Sequence, residues 1–198
     1  MIMAGTIFQD THLSLQVWFR AIWWVVTPKN GASAFSLHRS LGISYKTAWS
    51  LLHKLRRAMV RTGRSRLEGS VEVDETYVGG LEEGVAGRKA HHKALVVIAA
   101  QENGKKIGRI RMQVIEFASG SNLLSFIENN VEPGSLVHTD GWSGYSALKA
   151  KGYQHQVSII KKEGVDCLPR IHLVASLLKR WILGTHQGAI IKSHLELP

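Results

Sequence analysis

The chain has 198 residues, and its 25 Lys and Arg against 15 Asp and Glu give a formal net charge of +10 and a pI near 9.9. This excess of positive charge favours a polyanionic partner. No apolar run approaches the roughly 20 residues that a membrane-spanning helix needs, and a single cysteine, Cys167, excludes a disulfide framework and a Cys-rich zinc module within these residues. We therefore expect a cytoplasmic protein that does not bind membranes.

The N-terminal region is predicted to be all α. Apolar residues recur at spacings of three and four between Leu15 and Val26, which indicates an amphipathic helix. After a break at 28–31, a short helix is predicted over 33–41, and Gly42 separates it from a further helix with Ser44 as its N-cap.

The helix after Ser44 has one apolar face and a basic remainder. A helix, a glycine-containing turn and a basic helix favour a helix-turn-helix DNA-binding region over 1–62. A helical hairpin with a solvated basic face remains an alternative. We expect base-edge contacts from the first turn of the basic helix and further DNA contacts from its later cations: Tyr45, Lys46, Thr47, Lys54 and Arg57.

A polar, basic stretch at 61–66 is predicted to be a linker, and an α/β domain is predicted over 68–198. Three early strands are followed by alternating helices and strands, a pattern typical of a mixed sheet with helices on its faces. The predicted elements are strands at 71–78, 94–100 and 107–115, a helix at 121–131, a strand ending at Asp140, a helix near 143–151, a strand at 154–160 and a helix from Ile171.

Two acids stand out in this second region. Asp74 and Asp140 each lie in or just after an apolar strand-like run and are followed by glycines. Carboxylates brought from different strands to one edge suit Mg²⁺, which prefers oxygen ligands and takes part in phosphate chemistry. In this interpretation the pair points to cutting or joining nucleic acid. The alternative is that Asp74 is an ordinary strand-end acid and Asp140 a turn former.

The last predicted helix has a polar face opposite its apolar one. His172 and Lys179 lie seven residues apart on this face, two turns along one stripe, with Arg180 beside them. A ligand at one end and phosphate-binding cations two turns further on would suit DNA cleavage. A solvated polar face is the alternative.

Two further groups have both a DNA-binding and a structural interpretation. Trp142 and Tyr145 could stack on an unpaired base or pack against the predicted helix that follows Asp140. Basic residues at a loop and strand entry could follow the DNA backbone or simply be solvated: Arg88, Lys89, His91, His92 and Lys93.

Three motifs together resemble a known family. The segments 73–80, 138–145 and 168–188 are similar to bacterial insertion-sequence transposases with an ISXO2-like domain, and the resemblance extends forward to Ala4. It implies an RNase H-like catalytic fold of the DDE type, in which two Asp and a third residue hold two Mg²⁺ or Mn²⁺ ions.

The resemblance also implies roles for individual residues. Asp74, Asp140 and His172 would be the metal ligands, and Lys179 would follow the third ligand by seven residues. The intervals between the three ligands are 66 and 32 residues. Because imidazole is unusual beside Mg²⁺, His172 could instead orient a water or a phosphate. The next candidates for the third ligand are Glu163 and Asp166.

The function implied is metal-dependent cleavage and strand transfer at insertion-sequence ends. The protein would act on double-stranded DNA as a homo-oligomer, in the cytoplasm and associated with the bacterial nucleoid. Family members commonly have a Cys-paired zinc ribbon before the region that starts at Ala4 and a further helix after Gly188, so we expect this chain to be truncated at both ends. The alternative function is an inactive truncated transposase or a helix-turn-helix protein that only occupies DNA.

Overall fold

The computed structural model describes residues 3–60, 63–79, 93–158, 167–186 and 195. These residues form two compact units. One contains the described residues up to Arg64 together with the segment that starts at Arg180, and the other runs from Ser65 to Lys179. Within the described part of the chain, no helix combines the length and the apolar character needed to cross a membrane.

Three helices form most of the first unit. Each begins at a serine whose hydroxyl accepts a hydrogen bond from a backbone N–H one turn later, which satisfies a donor that the helix itself leaves unpaired. The helices are α1 (Leu15–Val26, N-cap Ser14), α2 (Ala34–Leu41, N-cap Ser33) and α3 (Tyr45–Met59, N-cap Ser44).

The turn between α2 and α3 depends on Gly42. This residue has φ 66° and ψ 24°, a left-handed conformation that glycine adopts without steric cost, and its N–H donates to His38 O to close α2. The chain can therefore turn after eight helical residues and start α3 three residues later. The three helices enclose a small apolar core of Trp18, Ala21, Ala32, Leu37, Ala48, Leu51, Leu52 and Leu55.

The second unit is built on one mixed sheet, which has five strands among the described residues, in the order β3-β2-β1-β4-β5. The first three strands are antiparallel, whereas β4 pairs parallel to β1 and β5 pairs parallel to β4. The strands are β1 (Ser70–Val78), β2 (Ala94–Asn103), β3 (Lys106–Ile115), β4 (Leu136–Thr139) and β5 (Gln154–Val157).

Helices lie on both faces of this sheet. On one face, buried residues of α4 (Gly120–Asn130) join Val71 and Val73 in one apolar cluster. Because side chains alternate along a strand, Glu72 points to the other face, where it contacts the start of α5 (Pro169–His186). The predicted architecture is confirmed: a mixed α/β sheet flanked by helices and preceded by a small all-α region.

One predicted element is wrong. The segment 143–151 is not an α-helix but two short 3₁₀ turns, Ser143–Tyr145 and Lys149–Lys151. Gly144 lowers the helix propensity of this segment, and Gly152, with φ 84°, ends it in a left-handed conformation. The predicted strand at 154–160 is observed as Gln154–Val157, and residues 159–160 lie outside the described residues.

Candidate active site

The two aspartates are placed by the register of neighbouring parallel strands. In the β1–β4 pairing Glu72 stands beside His138, an offset of 66 residues, and the interval from Asp74 to Asp140 is the same. The observed pairing ends at Glu72 and His138, and Asp74 and Asp140 each follow two residues later, with Asp140 just past the end of β4. The charge of Asp140 raises the pKa of Asp74, so the two carboxylates lie near each other. The sheet thus brings together two acids that are distant in sequence.

Local hydrogen bonds hold both carboxylates. Asp74 Oδ1 accepts from the backbone N–H of Glu75 at 2.8 Å, and Asp140 Oδ1 accepts from that of Trp142 at 3.0 Å. The second contact is a turn in which the aspartate side chain bonds the backbone two residues ahead. Asp140 is therefore oriented by the turn that ends β4.

The helix α5 contributes the third predicted residue. His172 lies in the first turn of α5, and its Nε2 is 3.9 Å from Asp74 Oδ2, with the two side chains 41% and 20% exposed. Lys179 is exposed two turns later, ~10 Å further along the helix. Asp74 therefore lies near both Asp140 and His172, and Lys179 lies further along α5.

The electrostatics of this group favour a cation. The pKa of Asp74 is raised to about 6, mainly by burial; the negative charges of Glu75 and Asp140 contribute to the rise, whereas the Glu75 N–H and His172 act in the opposite direction. A carboxylate that resists ionisation beside a second carboxylate is stabilised in its charged form by a bound cation.

The donor chemistry fits a hard divalent ion, because two carboxylates provide the oxygen ligands that Mg²⁺ and Mn²⁺ accept. In the positions that the structure gives them, however, these side chains do not form a complete set of metal ligands. Among the described residues, no three His, Cys, Asp or Glu side chains come close enough together to hold a metal ion. The fit therefore rests on the aspartate pair and its unfavourable charge.

Two aromatic residues pack into the core cluster that α4 shares with the sheet. Tyr145 is fully buried, and its hydroxyl donates to Glu75 Oε2 at 2.8 Å. Burial and the neighbouring Glu75 raise the pKa of this phenol. Trp142 packs against the same core and donates from Nε1 to Ala118 O at 3.3 Å. Both aromatics thus pack, but into the core cluster and not against the predicted helix at 143–151, and the buried Tyr145 ring does not present a face for base stacking.

The predicted DNA-contacting residues of the first unit lie along α3. Tyr45, Lys46, Lys54 and Arg57 are exposed, whereas Thr47 is half-buried, with its hydroxyl 2.8 Å from that of Ser44. Of the other predicted contacts, Lys93 is half-buried just before β2 and Arg180 is exposed on α5. Predicted residues that fall outside the described residues are Arg88, Lys89, His91, His92, Glu163 and Asp166.

Several residues of interest were not predicted. On α3, Trp49 is 51% exposed and its ring lies 4.0 Å from that of His53. On α2, the guanidinium of Arg39 covers the exposed ring of Phe35 at 4.2 Å. The sequence signal for Trp49 was its place one turn after Tyr45, away from the apolar face of α3.

Glu72 was also missed, although it lies two residues before Asp74 and shares its strand face. Its side chain is buried and bonds to the start of α5. The sequence feature that could have identified Glu72 is a charged residue between two valines in a predicted strand.

Comparisons with known proteins identify the family. The family model for the ISXO2-like transposase domain matches residues 66–197 of this chain. An uncharacterized protein in transposable element ISH50 of Halobacterium salinarum is 25% identical over 204 residues, which cover 93% of this chain and 67% of that protein.

Among solved structures, a chain of the simian T-cell lymphotropic virus intasome is 15% identical with a TM-score of 0.42, and the match covers 84% of this chain and 60% of that one. A chain of the Mos1 mariner paired-end complex with Mn is 10% identical with a TM-score of 0.38, and the match covers 84% of this chain and 65% of that one. The chain thus spans less than two thirds of these solved chains. Because the family model matches about two thirds of its residues, the chain belongs to the ISXO2-like transposase domain family.

Proposed function

We propose that this protein is a DDE-type transposase that cleaves DNA at insertion-sequence ends and joins the ends to a target. The observation that carries the proposal is the proximity of Asp74 to two other candidate site residues: the charge of Asp140 raises its pKa, and His172 Nε2 lies 3.9 Å from Asp74 Oδ2. The raised pKa of Asp74 supports a role in binding cations, because the charge of this carboxylate is poorly compensated by the protein alone.

Each residue has a distinct part in this proposal. Asp74 and Asp140 hold two Mg²⁺ or Mn²⁺ ions through their carboxylate oxygens. When bound, such ions activate the attacking water or 3′-hydroxyl and stabilise the leaving oxygen. His172 completes the site, either as a ligand or by orienting a water or phosphate. Lys179, exposed two turns further along α5, contacts a DNA phosphate.

Double-stranded DNA is the proposed partner. Exposed Lys46, Lys54 and Arg57 lie on α3, which follows α2 after a left-handed glycine turn, as in a helix-turn-helix. In this assignment α3 lies in the major groove, its first turn reads base edges and its later cations contact phosphates. Assembly as a homo-oligomer on paired DNA ends is part of the same proposal.

The test is cleavage of a plasmid that carries the flanking DNA of this gene, in Mg²⁺ or Mn²⁺. Asp74→Asn and Asp140→Asn retain the shape of each side chain and an oxygen that can accept the hydrogen bonds from Glu75 and Trp142. We expect each to lower the cleavage rate at least ~10³-fold. The control is Glu132→Gln. Glu132 is exposed and lies before the start of β4, whereas Asp140 follows the end of this strand, so the change should leave the cleavage rate unchanged. Full cleavage by both asparagine variants would contradict the proposal.

A second candidate is a protein that occupies element ends without cutting them. It is favoured by the finding that no three candidate ligands among the described residues come close enough together to hold a metal ion. This candidate predicts binding to the same DNA ends, by gel shift, with no metal-dependent cleavage in the wild-type protein. Cleavage that disappears in both asparagine variants would exclude it.

A further inference from the structure

Glu72 is an acidic side chain in the interior of the second unit. It lies in β1 between Val71 and Val73, and only 1% of its surface is exposed. A carboxylate removed from water in this way requires partners for both oxygens. The structure provides three, and all of them belong to the start of α5.

The first two partners are backbone groups. Glu72 Oε2 accepts from the N–H of Arg170 at 2.9 Å and from the N–H of Ile171 at 3.0 Å. Because the first N–H groups of a helix have no carbonyl partner within the helix, Glu72 caps α5 from a strand 98 residues earlier. Its negative charge also lies at the positive end of the helix dipole.

The third partner is the Arg170 guanidinium, whose Nη1 lies 2.8 Å from Glu72 Oε1. The same nitrogen donates to Glu102 Oε1 at 2.7 Å, and Nη2 donates to Gly104 O at 2.8 Å. Arg170 thus links the start of α5 to β1, to β2 and to the turn after β2. Glu102 bonds this guanidinium but, unlike Glu72, accepts no backbone N–H from α5 in the described contacts.

These contacts lie next to two residues of the proposed site, Asp74 and His172. Glu72 and Asp74 are two residues apart on one face of β1, and Arg170 and His172 are two residues apart at the start of α5. The carboxylate of Glu72 therefore fixes the helix end to the strand that carries Asp74. A shift of α5 along or away from β1 would change the distance between His172 and Asp74.

We propose that Glu72 and Arg170 form a clasp that positions His172 against Asp74, so that Glu72 acts on the metal site without binding metal. The part played by His172 and Asp74 in metal binding rests on the proposed function, whereas the clasp itself does not. The competing role is purely structural, in which Glu72 contributes to folding and leaves the site unaffected once the chain is folded.

The test compares Glu72→Gln with Glu102→Gln. Both variants remove one negative charge next to Arg170 and keep the side-chain length, but only the first weakens the cap on α5. The readouts are amide hydrogen exchange of the metal-free protein over 169–173, and Mn²⁺ affinity measured from the electron paramagnetic resonance signal of free Mn²⁺. Thermal unfolding is recorded in parallel.

We expect Glu72→Gln to speed exchange at the start of α5 and to weaken Mn²⁺ binding ~10-fold, the effect typical of losing a group that orients a metal ligand. Glu102→Gln should stay within twofold of the wild type in Mn²⁺ affinity. A Glu72→Gln protein that is less stable but binds Mn²⁺ like the wild type would overturn the proposal. Should Glu72→Gln fail to fold, Arg170→Lys replaces it in the same Mn²⁺ measurement. This variant leaves the cap in place but loses the forked guanidinium, and a Mn²⁺ affinity equal to that of the wild type would again overturn the proposal.

The outcomes also separate the clasp from the proposed function. If wild-type protein and Asp74→Asn bind Mn²⁺ equally weakly, the proposed function fails. The clasp is then judged by exchange alone, and unchanged exchange over 169–173 in Glu72→Gln would overturn it.

Discussion

The helical region and the sheet region of this chain differ sharply in charge. Residues 11–67 contain ten Lys and Arg and no Asp or Glu, so the whole net charge of +10 falls in this segment. In the remaining residues, fifteen Lys and Arg balance fifteen Asp and Glu. The proposed DNA-binding helix lies in the first region, and the acidic pair lies in the second.

This difference suggests a division of physical tasks. Cations without competing acids give strong, salt-dependent and largely sequence-independent attraction to phosphates. A metal site requires the opposite, a place where negative charge is concentrated and partly desolvated, as the raised pKa of Asp74 indicates. If the division is real, DNA affinity and chemistry can be changed independently.

The largest effect on DNA binding should come from removing cations of α3. A triple variant, Lys46→Ala with Lys54→Ala and Arg57→Ala, removes exposed positive charge from the first region. We expect DNA affinity to fall about a hundredfold at 0.1 M salt, and the slope of log affinity against log salt to become shallower by about 2 to 3. Fluorescence anisotropy with a labelled duplex over a series of salt concentrations measures both quantities.

The matched control makes the same change of charge in the second region. Lys105, Lys106 and Lys149 are exposed there, and replacing all three by Ala should alter the salt slope by less than 1. Equal losses in the two triple variants would show that net charge alone governs binding, and the division between regions would fail.

The next effect concerns the stability cost of Asp74. Because the pKa of Asp74 is raised to about 6, the folded protein binds its proton more tightly than the unfolded chain does. The metal-free protein therefore loses stability as pH rises from about 4 to above 6 and carries no such cost below the unfolded value of 3.8. We expect Asp74→Asn to raise the free energy of unfolding by about 2 kcal/mol at pH 7.5, with the gain vanishing below pH 4.

Urea unfolding at the two pH values measures this gain. Glu132→Gln, exposed and outside the acidic group, should change stability little at either pH. Millimolar Mg²⁺ should stabilise the wild type and leave Asp74→Asn unaffected. An Asp74→Asn gain that is the same at pH 4 and pH 7.5 would show that charge at this position is not the cause.

The sequence predicted the elements whose causes are local. The apolar spacing of α1 gave its observed bounds, Leu15–Val26, and Ser44 was recognised as the N-cap of α3 because capping depends on neighbouring residues. The helix predicted near 143–151 failed because glycine and buried aromatic packing override a short apolar pattern. Gly144 allows a close approach in which an added Cβ would stand 2.7 Å from the Trp142 ring nitrogen.

The site was only partly accessible from sequence. Asp74 and Asp140 were found because each lies in or just after an apolar strand-like run, but their proximity depends on β1 pairing with β4 at an offset of 66, which no local pattern reveals. Glu72 was missed because its partners lie 98 and 99 residues away. The contacts that orient a site are thus harder to predict than the residues that form it, since they have no fixed spacing along the chain.

The smallest predicted effect tests whether the first region reads sequence as well as charge. Trp49 is 51% exposed on α3, one turn after Tyr45, and its ring lies 4.0 Å from that of His53 at a tilt of 42°. An apolar ring at this position can contact a thymine methyl group in the major groove. We expect Trp49→Ala to lower the affinity for the element end by ~1 kcal/mol and to leave the affinity for unrelated duplex DNA and the salt slope unchanged.

Trp23, 68% exposed on α1, provides the matched control, and Trp23→Ala should change neither affinity. An equal loss on both DNAs in Trp49→Ala would show that the helical region contributes attraction only, and sequence discrimination would then have to come from elsewhere in the protein.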